Sequence, residues 1–377
     1  MRTFDEINNK IKNGEAVVLT AIEVKDLIEK ESIDKVFEKV DVVTTATFGP
    51  MCSSGAFLNF GHANPPIRME KTFINNVESY SGIAAVDTYI GVTQESEVNN
   101  NYGGAHVIYD LICGKEVEII ASGKGTDCYP RKYIKRKLKL SDLNEAYLFN
   151  PRNVYQNYNA AINTSNKKLY TYMGILFENS ENINFCTSGE ISPLLNDPTY
   201  QTIGIGTSIF LAGAIGMIVH EGTQFNSDIK RDENKLPVAP AATLAVIGDL
   251  KDMDKEYIKP AILKGYGISM FIGIGIPIPV LNKDILKSLA IRNKDIYTNI
   301  LDYSKENKPT IKRVNYDQLR SGKVEINGKI IKTSSISSLY KSEKICIKLK
   351  EKILNKEFYL TKPIRKFNNT KVKEMKK

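Results

Sequence analysis

Hydrophobic positions follow two different periods near the start of the chain, and together they predict a β-α-β beginning. Phe4–Asn13 has the spacing of a short amphipathic helix that ends at Gly14, and Ala16–Leu19 is an apolar run typical of a buried strand. Val24–Val40 carries apolar residues at helical spacing, and the β-branched run Val42–Thr45 predicts the next strand. We therefore expect an α/β protein with a mixed sheet at its core.

Further along, the pattern changes to short β-rich runs separated by glycine. Ala84–Val92, Ala105–Ile112 and Glu116–Ala121 are each interpreted as strands. Pro277 and Pro279 stand inside an apolar run and argue against a central strand that continues through them, because proline cannot donate to the strand ladder. The sheet is thus expected to include the first three runs and to end before the prolines.

The last quarter of the chain predicts a small module of its own. Val324–Lys332 reads as a hairpin, because Asn327-Gly328 supplies the positive φ angles of a tight turn. A helix is expected over about Ser338–Asn355. The pattern favours a core domain over residues 1–300 and a C-terminal hairpin-plus-helix module over residues 301–377.

Charge is unevenly distributed along the 377 residues. The net charge is +9, and +6 of it lies in Thr361–Lys377, which carries seven Lys or Arg residues against Glu374. A charge confined to one end suits a solvated tail, or a docking patch for an acidic partner, better than a nucleic-acid groove. We expect no nucleic-acid partner.

Cysteine usage and hydropathy indicate a reducing compartment. The sequence has five cysteines: Cys52, Cys113, Cys128, Cys186 and Cys346. They are too few and too scattered for a disulfide framework. The sequence has no CxxC pair, so the usual spacing of a metal site is absent. The uncharged segment Pro198–Val219 is diluted with glycine, threonine and serine, so buried core fits it better than a membrane span. With no signal peptide at the amino terminus, a cytoplasmic protein away from membranes is expected.

One stretch, Asp41–Met69, has the pattern of a reactive site. A β-branched run breaks at Gly49-Pro50, and Cys52 follows immediately with small residues after it. In α/β sheets a reactive side chain is commonly placed on a sharp turn directly after a strand. If a helix begins at Ser53, its free N–H groups favour the Cys52 thiolate.

A second cysteine lies in a turn-like, basic segment. Cys128 stands in Gly125–Lys132 among several lysines and arginines, which would lower its pKa, while Asp127 would oppose them. Cys113, Cys186 and Cys346 are interpreted as small buried hydrophobes.

The chain resembles the homocysteine biosynthesis protein family, whose members with assigned activity are L-aspartate semialdehyde sulfurtransferases. The resemblance is carried by Asp41–Met69 and by further ordered blocks: YGGAHVIYDLICGKEV (Tyr102–Val117), GTDCYPRK (Gly125–Lys132), NPRNVYQNYNAAIN (Asn150–Asn163), SPLLNDPTYQTIGIGT (Ser192–Thr207), HEGTQF (His220–Phe225), TLAVIGDLKDM (Thr243–Met253) and IGIGIPIPVLN (Ile272–Asn282).

The resemblance implies roles for particular residues. Cys52 and Cys128 are the catalytic thiols that the family's motifs put forward. His62 and His106 are candidates to protonate a developing alkoxide near neutral pH.

The substrate implied by the family also carries an α-carboxylate. Arg131 and Arg152, in the YPRK and NPRN motifs, are candidates to bind that carboxylate.

The implied chemistry needs two thiols and no organic cofactor. A persulfide on one cysteine adds its outer sulfur to the aldehyde, and the second cysteine attacks the inner sulfur and forms a disulfide. Cys128 is assigned as the persulfide carrier and Cys52 as the resolving thiol, which requires the two to come together. Two electrons must come from outside, so a sulfide source and a ferredoxin-like redox protein are expected partners.

Two other interpretations stay open at this point, and a homo-oligomer is compatible with all of them. In one, an iron–sulfur cluster ligated by Cys52, Cys128 and either Cys113 or Cys186 holds the sulfur. In the other, the protein is a non-catalytic thiol redox sensor or a scaffold for sulfur delivery.

Overall fold

The computed structural model describes residues 1–373 and 375. Within these residues the α-helices are α1 (Phe4–Asn13), α2 (Ala21–Lys30), α3 (Ile33–Lys39), α4 (Gly104–Ile112), α5 (Pro193–Asn196), α6 (Lys283–Leu289), α7 (Tyr316–Arg320) and α8 (Leu339–Leu354).

The strands are β1 (Val18–Thr20), β2 (Val42–Pro50), β3 (Gly55–Asn59), β4 (Lys71–Ile74), β5 (Val77–Ser79), β6 (Asp87–Gly91), β7 (Val117–Ser122), β8 (Tyr133–Leu138), β9 (Glu145–Asn153), β10 (Ala160–Ile162), β11 (Leu169–Thr171), β12 (Gly174–Leu176), β13 (Asn182–Phe185), β14 (Ser208–Leu211), β15 (Ala214–Glu221), β16 (Leu244–Asp249), β17 (Ile258–Leu263), β18 (Gly267–Pro279), β19 (Tyr297–Asp302), β20 (Thr310–Asn315), β21 (Lys323–Ile326) and β22 (Lys329–Ser335).

The largest sheet has ten strands and carries the centre of the core. Its order is β1-β2-β18-β14-β15-β16-β9-β3-β6, and β17 also pairs with β18. β1 and β2 are parallel with α2 and α3 between them, which confirms the predicted β-α-β beginning and the α/β class. Helix α8 covers β2 and β18: a Cβ at Gly273 would lie 2.5 Å from Cδ1 of Ile345, so glycine is needed for this close approach.

Three smaller sheets complete the fold. A six-stranded sheet has the order β20-β19-β10-β13-β22-β21, a four-stranded sheet has the order β5-β4-β7-β8, and β11 pairs with β12. In the four-stranded sheet β8 is an edge strand, paired with β7 alone.

The start and the end of the chain follow the predicted elements closely. Helix α1 ends at Asn13, and Gly14 closes it in the left-handed conformation with a φ of 79°. Asn327 and Gly328 join β21 to β22 with φ angles of 50° and 79°, as the hairpin turn requires. The single helical run expected between residues 24 and 40 is instead divided into α2 and α3.

Two predictions for the middle of the chain are wrong. The run Ala105–Ile112 is helix α4, because its buried residues recur at helical spacing and face the large sheet. Pro277 and Pro279 lie within β18, where they pair with β2. The two prolines are tolerated because β17 pairs with β18 only as far as Ile272, and β14 only as far as Gly275. Beyond Gly275 the edge of β18 opposite β2 is unpaired among the residues described, so the N–H groups that the prolines lack are not needed there.

The C-terminal segments share sheets with the rest of the chain. The predicted division at residue 300 falls inside β19, β22 pairs with β13, and α8 packs on β2 and β18. Of the basic tail, Glu374, Lys376 and Lys377 lie outside the described residues.

The segment weighed above as a membrane span forms strands of the core. Residues 198–219 include β14 and most of β15. Over the described part of the chain, no helix has the length and apolar character needed to cross a bilayer.

Candidate active site

Cys52 lies in the turn between β2 and β3, two strands of the large sheet that are not neighbours in its strand order. β2 ends at Pro50, and β3 begins at Gly55 and pairs with β6 and β9. The expectation of a helix beginning at Ser53 is therefore wrong. The residues after the turn extend as a strand because they complete the ladder between β6 and β9, so the predicted helix does not form at Ser53.

Polar contacts fix this turn to the NPRN motif of β9. The Ser53 hydroxyl donates to Oδ1 of Asn150 (3.2 Å) and to the carbonyl of Arg152 (3.1 Å), and Nδ2 of Asn150 donates to Oγ of Ser54 (2.8 Å). Because Asn150 and Ser54 are buried, these bonds hold the turn firmly. The motif thus positions Cys52 and places Arg152 close to it.

The Cys52 thiol has two hydroxyl neighbours of its own. Its Sγ lies 3.0 Å from Oγ of Ser269 in β18, and the Tyr266 hydroxyl is also within hydrogen-bonding reach. Burial raises the pKa of both Tyr266 and Tyr155, and the Arg152 guanidinium acts in the opposite direction on both. Arg152 and Cys52 therefore both influence the hydroxyls of Tyr155 and Tyr266.

A cavity of about 70 Å³ opens beside this turn. Its wall includes Pro50 and Met51, which lead directly into Cys52, and side chains rich in hydroxyl groups. A single buried water needs roughly 10–15 Å³, so the cavity has room for a few small polar groups. The lining residues are Thr47, Gly49, Pro50, Met51, Asn153, Val154, Tyr155, Tyr158, Tyr172, Cys186, Thr187, Ser188, Ser192 and Ser337.

A row of tyrosines forms one wall of the cavity and continues to Cys52. The ring centroids of Tyr155 and Tyr158 are 4.8 Å apart, those of Tyr158 and Tyr172 are 6.0 Å apart, and those of Tyr172 and Tyr266 are 6.3 Å apart. Burial raises the pKa of Tyr158 and of Tyr172 far above the ordinary value, so both stay neutral hydrogen-bond donors.

Cys186 is the residue at this cavity that sequence reasoning missed. It follows β13 directly and its Sγ lies 3.2 Å from Oγ of Ser337. Burial raises the pKa of the Cys186 thiol to about 11; the contact with Ser337 opposes this, and nearby Cys52 adds to it. One signal was available, since Cys52-Ser-Ser-Gly and Cys186-Thr-Ser-Gly are the same pattern, each placed after a strand.

Cys128 lies in a different place, in the exposed connection between β7 and β8. Next to it, the ring of Tyr129 stacks on His62 with 6.1 Å between the centroids. Arg131 donates from Nε to the carbonyl of Pro65 (2.9 Å) and from Nη2 to that of Asn64 (2.7 Å). The structure thus brings Cys128, His62 and Arg131 together, and the guanidinium of Arg131 is already engaged by backbone.

Strand β3 separates the two thiols of the expected relay. Cys52 precedes its first residue, Gly55, whereas His62, beside the Cys128 segment, follows its last residue, Asn59. At ~3.4 Å per residue, the strand alone spans ~13 Å. Direct exchange between Cys52 and Cys128 therefore stays a prediction that requires one segment to move.

His106 has a structural contact at the start of α4. Its Nδ1 accepts the backbone N–H of Gly103 (3.2 Å), and its ring stacks on Tyr102 at 5.2 Å. Burial lowers the pKa of His106, and Asp110 opposes that shift. The His106 ring caps helix α4. These contacts do not join it to the Cys52 turn, so its catalytic role stays a prediction.

A metal site is not formed by the side chains described. In residues 1–373 and 375, no three His, Cys, Asp or Glu side chains converge closely enough to hold an ion. The donor set expected for a cluster, with Cys52 and Cys128 at opposite ends of β3, does not fit one in this conformation, and we derive no step through a cluster.

Comparison with known proteins gives the chain its family. Residues 16–360 match the family described as homocysteine biosynthesis enzyme, sulfur-incorporation. The chain belongs to this family. It is therefore an enzyme that incorporates sulfur in homocysteine biosynthesis, as the sequence blocks predict. No solved structure matches it.

Relatives with a named activity match nearly all of the chain. It is 48% identical over 370 residues to the L-aspartate semialdehyde sulfurtransferase of Methanosarcina acetivorans, a match that spans 97% of this chain and 72% of the relative. It is 46% identical over 394 residues to the protein of the same name from Methanocaldococcus jannaschii, spanning 100% of this chain and 75% of the relative. An uncharacterized protein of Methanothermobacter thermautotrophicus is 29% identical over 335 residues, with 86% and 73% covered.

Proposed function

We propose that this enzyme converts L-aspartate semialdehyde to L-homocysteine, with sulfur from sulfide and two electrons from an external donor. The observation that carries the proposal is a thiol, Cys52, held beside a hydroxyl-lined cavity in a chain whose relatives are named for that substrate. The balance is simple: the aldehyde, hydrogen sulfide, two electrons and two protons give homocysteine and water.

Sulfur reaches the substrate as a persulfide, which we place on Cys52 and not, as in the sequence-based prediction, on Cys128, because Cys52 is the thiol beside the cavity. The outer sulfur of Cys52–S–S⁻ adds to the aldehyde carbon, and the carbonyl oxygen takes up a proton. A second thiol then attacks Sγ of Cys52 and releases the sulfur that is now bonded to the substrate. Loss of water leaves a C=S group, which the two external electrons and two protons reduce to CH–SH.

The cavity offers suitable partners for the rest of the substrate. Arg152, next to Cys52, binds the α-carboxylate, whereas Arg131 is held by two backbone carbonyls at the other end of β3. The cavity wall includes no Asp or Glu among the side chains described. The α-ammonium group of the substrate therefore lies against the faces of Tyr155 and Tyr158, which attract a cation.

The electron donor docks on a basic strip, defined here as Gly123–Lys139. It carries seven Lys or Arg residues against Asp127, it includes the exposed edge strand β8, and Cys128 is exposed within it. Within the described chain only Lys135 of these cations forms an ion pair, with Glu118 (3.1 Å). A small acidic iron–sulfur protein of the ferredoxin type suits this surface, because opposite charge steers association.

An anaerobic assay tests the function. Protein, L-aspartate semialdehyde, sulfide and a strong reductant should give homocysteine with multiple turnovers, and omission of any one component should stop it. Cys113→Ser is the control, since Cys113 only caps α4 and should retain wild-type activity. If the wild type releases no homocysteine under any of these conditions, a redox sensor or a sulfur-delivery scaffold must replace the enzyme described here.

A further inference from the structure

One cysteine lies in the wall of the cavity and a second follows directly after two other wall residues, and the reaction requires two thiols. Cys186 is in the cavity wall itself, and Cys52 follows the wall residues Pro50 and Met51. Sγ of Cys186 lies only 3.7 Å from where a Cβ on Gly49 would be, so it packs directly on the strand that delivers Cys52. Each cysteine also has a serine hydroxyl within hydrogen-bonding distance, Ser337 for Cys186 and Ser269 for Cys52.

We propose that Cys186 is the second thiol, which attacks Sγ of Cys52 and releases the sulfur bonded to the substrate. The inference rests on the proposed function and names a residue for its unassigned step. Cys128 is the alternative from the family motifs, but β3 separates it from Cys52. Cys186 already lies in the cavity wall, and its Sγ packs on β2, the strand that leads to Cys52.

The step balances in atoms and electrons. The Cys186 thiolate forms a bond to Sγ of Cys52, the bond between Sγ and the outer sulfur breaks, and its electron pair leaves with the sulfur on the substrate carbon. That sulfur takes up the proton lost by Cys186. The product is a Cys52–Cys186 disulfide, which hydrosulfide reopens to give the Cys52 persulfide and the Cys186 thiol. The thiols thus need no external electrons, and both electrons go to the carbon.

The charge at Cys52 makes the Cys186 thiolate easier to form after the substrate has been bonded to the sulfur than before. Negative charge at Cys52, which the outer sulfur of the persulfide carries during the cycle, and the burial of Cys186 keep the latter protonated. Once Cys52 carries sulfur and substrate it is uncharged, so one cause of the raised pKa disappears and the thiolate of Cys186 becomes easier to form.

The first test maps the disulfide without turnover. Wild-type protein is oxidised with diamide, digested without reduction and analysed by mass spectrometry. A Cys52–Cys186 peptide is expected in the wild type and in Cys128→Ser, and it should be absent from Cys186→Ser. A Cys52–Cys128 peptide, or a Cys52 that stays free in every sample, would overturn the proposal. This result does not depend on homocysteine formation, so it separates the pairing from the proposed function.

The second test traps the intermediate. Cys186→Ser, loaded with persulfide and given L-aspartate semialdehyde without other thiols, should accumulate an adduct of one sulfur and one substrate on Cys52. Homocysteine release should fall ~10²-fold or more, since a serine cannot displace the sulfur. Cys186→Ala, checked by its thermal melting, guards against misfolding, and Cys113→Ser is the matched control. Normal release from both Cys186 variants would contradict the assignment.

Discussion

Replacing Arg152 tests the substrate-binding side of the site. In Arg152→Ala the α-carboxylate of L-aspartate semialdehyde loses its charged partner beside Cys52. A hydrogen bond to a charged group contributes ~1.5–3 kcal/mol, and each 1.4 kcal/mol is a factor of about ten in binding. Because water replaces part of the loss, we expect KM to rise ~10–100-fold while kcat changes much less.

Arg131→Ala is the matched control for this prediction. The Arg131 guanidinium donates to the carbonyls of Pro65 and Asn64 at 2.9 and 2.7 Å in an exposed loop. Its removal should cost about 1 kcal/mol of stability and leave KM within about twofold of the wild type. Steady-state kinetics with varied L-aspartate semialdehyde and a urea titration give the two readouts. If Arg131→Ala raises KM more than Arg152→Ala does, the carboxylate lies near Cys128 and the site has been misplaced.

Two further predictions concern charge. Replacing Lys132, Lys137 and Lys139 together by glutamine should raise KM for an acidic ferredoxin-type donor by ~10-fold. Activity with dithionite should not change. A similar rise in KM in a variant with three neutralised tail lysines would refute the docking site. Lys25 is fully buried, and burial lowers its pKa to about 7. Between pH 7 and 10 the unfolded chain binds more protons at Lys25 than the folded chain does. The free energy of unfolding of the wild type should therefore rise with pH, relative to that of Lys25→Met, by roughly 1.4 kcal/mol per pH unit. Urea unfolding at pH 7 and 9 measures this, and a constant difference would contradict it.

Local signals in the sequence predicted the elements that depend on local chemistry. Gly14 and the Asn327-Gly328 pair adopt positive φ because those residues tolerate it better than others, so the end of α1 and the C-terminal turn could be predicted from residue type alone. Cys52 was also predicted to follow a strand, and it does, but the predicted break at Gly49-Pro50 is wrong because β2 continues to Pro50.

Contacts that are distant in sequence explain what could not be predicted. The residues after Cys52 form β3 because β6 and β9 lie on either side, and neither partner is visible in the local pattern. Pro277 is accepted in β18 only because no strand pairs with that side. Cys186 lies 134 positions beyond Cys52, so its place at the cavity depends on how β13 approaches the large sheet.

A single-turnover transfer shows whether Cys52 carries the sulfur that reaches the substrate. Protein loaded with labelled persulfide and freed of excess sulfide is mixed anaerobically with L-aspartate semialdehyde and reductant, and labelled homocysteine is counted against the persulfide initially bound to Cys52. If Cys52 carries the sulfur, the wild type should yield close to one homocysteine for each Cys52 persulfide, and Cys52→Ser should yield none. Labelled homocysteine from Cys52→Ser at the wild-type yield would contradict it.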